Sequence, residues 1–427
     1  MLRYVLVQNP IVPLLIFLSF ALLCSLLFYV AVKPLLAKAN PLVRKISIIL
    51  IIGSAAIFAL TLITLYFFRK TLETPASFVN LYYATGTFVV VYVPIINLLL
   101  FRLFEIIVLY IFQLSNQIFK SIRFNTFIGN LKDKKYLVKL GLIAIPVYLG
   151  FIIHGICYNR FDFHVKNYDL YFDNLPKNFE GFTVLQFSDL HIGSFIDHKK
   201  ELEKAIDLIN QQHVDIIVFT GDFVNFTANE IDSLQNVLKK MNTPAFGKYS
   251  ILGNHDYGDY RHWESLKAKI VDLRKERRLE KELGFKLLLN ESDSITKNGQ
   301  SIGLIGVENW GLPPMPQHGD YNLAVQKVKT LPFKILLSHD PIHWVEKIKD
   351  STDVALTLSG HTHGAQFAIN FAGFQWSPIR LRYKYWMGMY QEKNQYINVN
   401  VGLGFAGYPG RVGTAPEISI IKLHKNN

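Results

Sequence analysis

The sequence is poor in cysteine, which excludes two common ways of holding a domain together. The two cysteines, Cys24 and Cys157, both lie in apolar segments. Neither is placed to staple a globular domain through a disulfide, and no cysteine remains to build a thiolate zinc site. Cysteine usage therefore carries no information on the redox compartment of the protein.

Acidic residues are scarce in the first part of the chain. Residues 1–157 contain three of the 33 acids, Glu73, Glu105 and Asp133, but 14 of the 45 Lys and Arg residues. The remaining residues are nearly neutral, so the net charge of +12 comes mainly from loops that flank apolar segments. Such charge indicates membrane-flanking loops, and we expect no nucleic-acid partner.

Long runs without charge mark the membrane part. A bilayer core of about 30 Å requires about 20 apolar residues in a helix. Four segments meet this requirement, near residues 11–32, 46–68, 81–112 and 138–157. The first is too long for a cleaved signal peptide and lacks a small-residue cleavage site. We therefore expect an all-α transmembrane anchor of about four helices over residues 1–157.

The basic residues of the loops predict an orientation. The loop that follows the first apolar segment has four Lys and Arg residues, and the loop that precedes the fourth has five. The loops and ends on the opposite side have five in total. The positive-inside rule places the two richer loops in the cytoplasm. The expected protein is thus an integral, multi-pass membrane protein with residues 158–427 outside the cytoplasm.

From about residue 158 the pattern changes to short apolar strands that alternate with amphipathic helices. The predicted strands are 183–188, 215–220, 249–252, 333–338, 354–359, 396–401 and 417–423, and the predicted helices are 200–211, 230–241, 261–283 and 322–329. Residues 294–307 predict a hairpin that turns at Asn298-Gly299. The alternation indicates one α/β domain over residues 158–427.

Five polar blocks follow the ends of predicted strands. They are Asp189-Leu190-His191, Gly221-Asp222, Gly253-Asn254-His255-Asp256, Ser338-His339-Asp340 and Gly360-His361-Thr362-His363. In α/β sheets ligands collect at the carboxyl ends of strands. We therefore expect these blocks to meet at one rim of the domain, although the chain spreads them widely.

The side chains of these blocks suit metal ions. The candidate ligands are Asp189, His191, Asp222, Asn254, His339, His361 and His363. Residues two apart in an extended stretch face the same way, so Asp189 and His191 can reach one ion. Seven ligands are too many for one tetrahedral ion and suit two ions that share a carboxylate. Without cysteine, the set fits Mn, Fe, Zn or a similar divalent ion.

The five blocks, in this order across residues 180–365, resemble those of the calcineurin-like metallophosphoesterase superfamily. The later segments Gly364-Ala365-Gln366, Gly402-Leu403-Gly404, Pro409, Arg411 and Pro416-Glu417-Ile418 resemble its membrane-anchored branch of YkuE/YaeI-type phosphodiesterases. Ala365 stands where that branch commonly has glycine. The resemblance implies a four-layer αββα sandwich and a metal-dependent phosphoric ester hydrolase.

The resemblance also implies a role for each residue. Asp189, His191, Asp222 and His363 would hold one ion, and Asp222, Asn254, His339 and His361 would hold the second. A hydroxide between the ions would attack phosphorus in line. His255 would protonate the leaving oxygen, and Asp256 would orient His255. Arg411 is the candidate for a further substrate contact, since Arg forks match phosphate oxygens.

These expectations lead to a membrane-bound phosphoesterase that acts on a phosphodiester or a lipid-linked phosphoester, because the anchor holds the cleft near lipid head groups. The expected partners are this substrate and the bilayer. One alternative is a phosphatase for soluble nucleotides or phosphoproteins, which would keep its activity without the anchor. Another is a non-catalytic metal-binding membrane sensor, which would bind metal without turnover.

Overall fold

A computed structural model describes residues 11–37, 39–67, 75–119, 136–313, 315–371 and 373–426. The chain divides into two compact units, Met1–Glu73 with Asn80–His154, and Thr74–Val79 with Gly155–Asn427. Most of the basic loop residues on which the predicted orientation depends, including Arg69, Lys70 and those at 120–135, lie outside the described residues. The orientation therefore stays a prediction.

The first unit consists of apolar helices. Their bounds are Ile11–Leu36 (α1), Pro41–Phe67 (α2), Pro75–Phe119 (α3) and Tyr136–Cys157 (α4). Among the described residues, three segments are long and apolar enough to cross a membrane: Pro41–Leu60, Tyr82–Ser115 and Lys139–Phe161. The stretch Leu18–Lys33 of α1 is apolar but shorter. Within the described residues three segments thus meet the length and composition of a membrane span, and the expected total of about four stays a prediction.

The second unit is built around two six-stranded mixed sheets. In spatial order, the first sheet contains His164–Phe172 (β1), Glu417–Lys425 (β14), Phe182–Phe187 (β2), Ile216–Phe219 (β3), Lys248–Ser250 (β4) and Phe285–Leu287 (β5). The second contains Gly388–Glu392 (β12), Gln395–Val399 (β13), Leu356–Ser359 (β9), Lys334–Leu337 (β8), Gln300–Gly306 (β7) and Glu291–Lys297 (β6). A separate hairpin pairs Ile369–Phe371 (β10) with Phe374–Trp376 (β11).

The helices of this unit are shorter than those of the first. They are Lys199–Asn210 (α5), Gln235–Leu238 (α6), Leu266–Glu282 (α7), Tyr321–Ala324 (α8) and Pro341–His343 (α9), which continues as the π-helical turn Trp344–Ile348. The 3₁₀ turns are Asn159–Phe161, Lys177–Phe179, Ile192–Phe195, Ala228–Glu230, Gln326–Val328, His363–Gln366 and Pro378–Leu381.

The central strands are buried on both faces. In β3, Ile216 and Val218 belong to a cluster shared with Leu304 and Ile335 of the second sheet. The alternate residues Ile217 and Phe219 pack in another cluster, which includes Leu202, Ile206 and Ile209 of α5. Residues two apart in a strand share a face, so the two clusters use opposite faces of the sheet. Each such side chain contributes about 1.5–3 kcal/mol by burial, which fixes the strand ends that carry the polar blocks.

The strand predictions agree closely with the structure, whereas two predicted helices are wrong. The hairpin turn is confirmed, since Lys297 pairs with Gln300 across Asn298-Gly299. The predicted helix 230–241 is instead a 3₁₀ turn followed by the single turn α6. Glu230 accepts hydrogen bonds from the amides of residues 225–227, which caps the start of the first turn. The predicted helix 322–329 is likewise split into α8 and a 3₁₀ turn.

Candidate metal centre

All seven candidate ligands follow the carboxyl end of a strand. Asp189 and His191 follow β2, Asp222 follows β3 and Asn254 follows β4 in the first sheet. His339 follows β8, while His361 and His363 follow β9, in the second sheet. These strands run parallel within each sheet. Their loops therefore meet at one rim, where both sheets contribute to the same buried group of side chains.

One group of ligand atoms joins Asp189, His191 and His363. The Nε2 atoms of His191 and His363 lie 3.0 Å apart, and His363 Nε2 lies 3.2 Å from Asp189 Oδ1. Asp189 and His191 are fully buried, and His363 is 7 % exposed. Two imidazole nitrogens and a carboxylate oxygen thus face one point in the interior.

A second group joins Asp222, His339 and His361. His339 Nε2 lies 3.2 Å from Asp222 Oδ2. The Oδ1 atom of Asn254 lies 3.2 Å from His339 Nε2 and 2.7 Å from His361 Nδ1. The amide oxygen of Asn254 therefore completes a set of four donor atoms of the types that divalent ions bind.

The Asp222 carboxylate lies between the two groups. Its Oδ2 is 3.6 Å from His191 Nε2 of the first group and 3.2 Å from His339 Nε2 of the second. Its Oδ1 accepts a hydrogen bond of 2.8 Å from the backbone N–H of His255. The set of four imidazoles, two carboxylates and one amide oxygen is buried except for the half-buried His361, and with one carboxylate shared it fits two divalent ions.

The buried charges of the site act on one another, and His339 must lose its proton to bind an ion. Burial holds the pKa of His191 well below its ordinary value, so its ring is neutral at pH 7. Burial opposes a charge on Asp222, but His339 and His255 outweigh this effect and hold the pKa of Asp222 well below its usual range. Burial also disfavours a charge on His339, yet the Asp222 carboxylate outweighs it and raises the pKa of His339 to about 10. Negative charge at Asp222 thus attracts a cation to this position.

The ring nitrogens on the far side of the ligands have partners that fix the rings. His339 Nδ1 lies 2.8 Å from Thr220 O, and His191 Nδ1 lies 3.2 Å from Val224 O. His361 Nε2 lies 2.9 Å from the hydroxyl of Tyr383, which also donates to Asp340 Oδ2 at 3.3 Å. Such contacts set the tautomer and the orientation of a metal-binding histidine.

Most of the ligands have an unusual backbone conformation. The five with left-handed φ angles are Asp189 (45°), His191 (39°), Asp222 (60°), His361 (73°) and His363 (49°). Non-glycine residues rarely adopt this region, and they concentrate at functional sites. Gly360 is required for a different reason, because a Cβ there would overlap Ser188 Oγ and Asp189 Oδ2.

His255 lies at the edge of the first group. Its ring is half-buried and meets the ring of His191 edge-on, with 4.7 Å between centroids. His255 Nδ1 lies 2.7 Å from Asn225 O, which directs Nε2 away from that carbonyl. A ring nitrogen of His255 also lies close to ligand atoms of His191 and Asp222.

Asp256 contacts backbone amides, and its expected role of orienting His255 stays a prediction. Its carboxylate accepts hydrogen bonds from the backbone N–H groups of Asp222, Phe223, Val224 and Gly253, at 2.7–3.3 Å. The ring of His255 contacts the carbonyl of Asn225. Asp256 thus acts on the site by joining the loop of Asp222 to that of Asn254.

Arg411 is fully buried, although it was expected to contact substrate. Its Nη2 donates to the carbonyls of Val401 at 2.8 Å and Gly402 at 3.1 Å, and lies 3.4 Å from His363 Nδ1. These contacts support the loop beside His363. A direct contact between Arg411 and phosphate stays a prediction.

Two tyrosines at the centre were missed by the sequence reasoning. Besides Tyr383, Tyr260 stacks on His255 with ring centroids 4.0 Å apart and planes within 3° of parallel. Its hydroxyl accepts a hydrogen bond of 2.7 Å from Asn254 Nδ2. The only signal for Tyr260 was its place shortly after the block that contains Asn254 and His255.

The chain is similar to several known proteins. The calcineurin-like phosphoesterase family matches residues 182–365. The uncharacterized metallophosphoesterase YkuE of Bacillus subtilis is 32% identical over 260 residues, which cover 59% of this chain and 82% of that protein. A transmembrane protein with metallophosphoesterase domain from Danio rerio is 26% identical over 261 residues, 59% of this chain and 55% of that protein. The solved structure of Haemophilus influenzae NAD nucleotidase has 15% identity and a TM-score of 0.36, over 52% of this chain and 45% of that one.

Proposed function

The chain belongs to the calcineurin-like phosphoesterase family, and we propose that it is a membrane-bound, two-metal enzyme that hydrolyses a phosphodiester or a lipid-linked phosphoester. The observation that carries this proposal is the Asp222 carboxylate, whose Oδ2 faces buried histidines of both ligand groups. A single bound ion would not require a shared carboxylate.

In this proposal each residue has a role that follows from its place. The side chains that would hold the first ion are Asp189, His191, Asp222 and His363, and those for the second are Asp222, Asn254, His339 and His361. When bound, the ions polarise the phosphoryl oxygens and make water acidic enough to act as a nucleophile near pH 7. The metal identity is Mn, Fe, Zn or a similar ion.

His255 is the proposed general acid. With Nδ1 turned to the carbonyl of Asn225, Nε2 is available to donate a proton to the leaving oxygen. Tyr260 holds the face of this ring and the amide of Asn254 at once. Asp256 is proposed as a positioning residue that keeps the Asp222 and Asn254 loops together through four backbone amides.

The position of the domain along the chain supports a substrate at the membrane. The first strand begins at His164, seven positions after α4 ends at Cys157. We propose that α4 crosses the bilayer, which places this strand near the membrane surface. Seven residues reach at most about 25 Å even when fully extended, so the start of the domain would lie close to lipid head groups. We further propose that residues 158–427 form a four-layer αββα domain on the extracytoplasmic side, as the basic loops predict.

The test uses the purified full-length protein in detergent with Mn²⁺. Bound metal is counted, and hydrolysis of bis-p-nitrophenyl phosphate is compared with that of the monoester for wild type and Asp222→Asn. We expect two ions per chain, preference for the diester, and loss of turnover and of bound metal in the variant. Preference for the monoester would favour a soluble-nucleotide or phosphoprotein phosphatase, and metal without turnover would favour a sensor.

A further inference from the structure

We propose that the β10–β11 hairpin is a membrane-docking surface whose apolar face enters the interface of an anionic lipid bilayer beside the metal centre. The proposal rests on the membrane association proposed above. It adds a defined contact between the enzymatic domain and lipid, and it accounts for a feature of the hairpin that catalysis does not use.

The hairpin is amphipathic with its apolar face exposed. Ile369 pairs with Trp376, and Phe371 pairs with Phe374, so these four side chains share one face. Ile369, Phe371 and Phe374 are 46%, 77% and 58% exposed. Their exposure is unfavourable in water, and a two-stranded hairpin alone is only marginally stable. An apolar environment on this face would stabilise it.

The base of the hairpin is fixed next to the metal centre. Before β10, the amide of Ala368 donates to Val412 O at 2.8 Å. After β11, the buried Ser377 hydroxyl donates to Gly364 O at 2.9 Å, directly beside the ligand His363. Further along, the hydroxyl of Tyr383 contacts His361 Nε2. The apolar face therefore extends from loops that carry two metal ligands.

The charge around the hairpin suits anionic lipid. The sequence has no Asp or Glu between Asp353 and Glu392. Arg380 and Arg382 are exposed on either side of Leu381, which is itself 86% exposed. Within the described part of the chain, neither guanidinium forms an ion pair with a carboxylate. Exposed aromatic and aliphatic side chains beside arginines are the chemistry of an interfacial membrane contact.

The covalent link to the apolar helices lowers the entropy that the domain loses when it docks on the membrane. A domain held within about 25 Å of the bilayer docks by an intramolecular event and meets the membrane at high effective concentration. A few apolar side chains and two arginines then suffice, although the same surface would bind vesicles weakly as a free domain. The hairpin would keep the metal centre at the level of the head groups.

The test measures the depth of the hairpin in the membrane with the full-length chain. A Cys24→Ser, Cys157→Ser background receives Phe374→Cys, labelled with an environment-sensitive NBD fluorophore. The matched control is Asn298→Cys at the polar tip of the β6–β7 hairpin in the same domain. Both proteins are placed in nanodiscs that contain one chain and anionic phosphatidylglycerol, with or without brominated acyl chains.

We expect a blue-shifted emission and loss of most of its intensity to brominated lipid at position 374, with neither effect at position 298. In discs of neutral phosphatidylcholine, or after Arg380→Gln with Arg382→Gln, the quenching at 374 should fall severalfold. Emission at 374 that matches position 298 would overturn the proposal. A blue shift that persists in detergent, grows with protein concentration and is not quenched would assign the face to a second copy of the chain instead.

The same measurement separates docking from catalysis. In the inactive Asp222→Asn protein the label at 374 should still be quenched, because docking does not use the metal ligands. Quenching without turnover in the wild type would leave docking intact while the proposed function fails. Turnover without quenching would support the proposed function and overturn docking. Turnover of a soluble diester by the labelled Phe374→Cys protein shows that the exposed substitution has not disturbed the fold.

Discussion

Removal of the Tyr260 hydroxyl tests whether the second ligand group depends on a tyrosine outside the five blocks. Asn254 presents Oδ1 to His339 and His361, and its Nδ2 donates to Tyr260 at 2.7 Å. This bond fixes which end of the amide faces the ligands. In Tyr260→Phe the ring still stacks on His255, but the amide of Asn254 loses the partner that sets its orientation.

The magnitude follows from the kind of contact that is lost. A net hydrogen bond contributes about 0.5–1.5 kcal/mol, and loss of a partner that orients a metal ligand typically weakens metal affinity or activity about 10–100-fold. We expect Tyr260→Phe to lower the affinity of the second ligand group for its ion about tenfold. Tyr260→Leu also removes the stack on His255, which is 4.0 Å away and within 3° of parallel. Such a pair contributes about 0.5–1.5 kcal/mol, so kcat should fall by a further factor of about three to ten.

The assay is diester hydrolysis over a Mn²⁺ titration, together with the pH profile of kcat. Excess metal should restore the activity of Tyr260→Phe. It should not restore the activity of Tyr260→Leu, in which the proposed general acid His255 has lost the ring that holds it. Tyr257→Phe is the matched control, because Tyr257 lies in the same loop and donates to Glu308 at 3.1 Å, remote from the ligands. If both Phe variants have the same metal dependence as wild type, the Asn254–Tyr260 contact does not position the ligand and the reasoning is refuted.

Three further outcomes are expected. Burial raises the pKa of Glu280 from 4.5 to about 8. Between these two pH values the folded state keeps a proton that the unfolded chain loses. The free energy of unfolding therefore falls by about 1.4 kcal/mol for each pH unit as pH rises from 4.5 to about 8. Glu280→Gln should therefore melt at a higher temperature than wild type at pH 8 but not at pH 4.5; equal shifts at both would contradict this. Asp256→Asn turns two backbone amide contacts into donor–donor pairs and should cost about 2–4 kcal/mol of unfolding free energy, measured by denaturant titration, whereas an unchanged midpoint would argue against its positioning role. Arg411→Lys should lower the melting temperature and leave the KM for a soluble diester unchanged, because the guanidinium donates to carbonyls; a raised KM at unchanged stability would support the phosphate contact.

The sequence predicted the ligands better than their surroundings. Asp189, Asp222 and His339 were identified because each follows an apolar strand, and residue type alone restricts what a metal can bind. Tyr383 gave no such signal, since it contacts His361 across 22 positions from an irregular segment. The backbone amides that Asp256 contacts gave no signal either, because no side-chain pattern records them.

The apolar helices of the first unit show the same division. Uncharged runs predict apolar helices from composition alone, and the predicted segment 81–112 lies within the continuous helix Pro75–Phe119. In α1 the apolar stretch is Leu18–Lys33, whereas the prediction covered residues 11–32. The number of crossings, and with it the side of the membrane, depends on such helix ends, which composition specifies least.

The conformation of the ligand loops is imposed by the buried strands that precede them and not by the ligand residues themselves. Left-handed φ angles at Asp189, Asp222 and His361 each cost about 1–3 kcal/mol, and a whole domain is stable by only about 5–15 kcal/mol. No local preference of Asp or His would select these conformations. They persist because buried strands on both sheets fix where each loop begins, and because Asp256 joins two of the loops by backbone bonds. The strained loops place the carboxylates and imidazoles in one small volume, which is the preorganisation that a metal site requires.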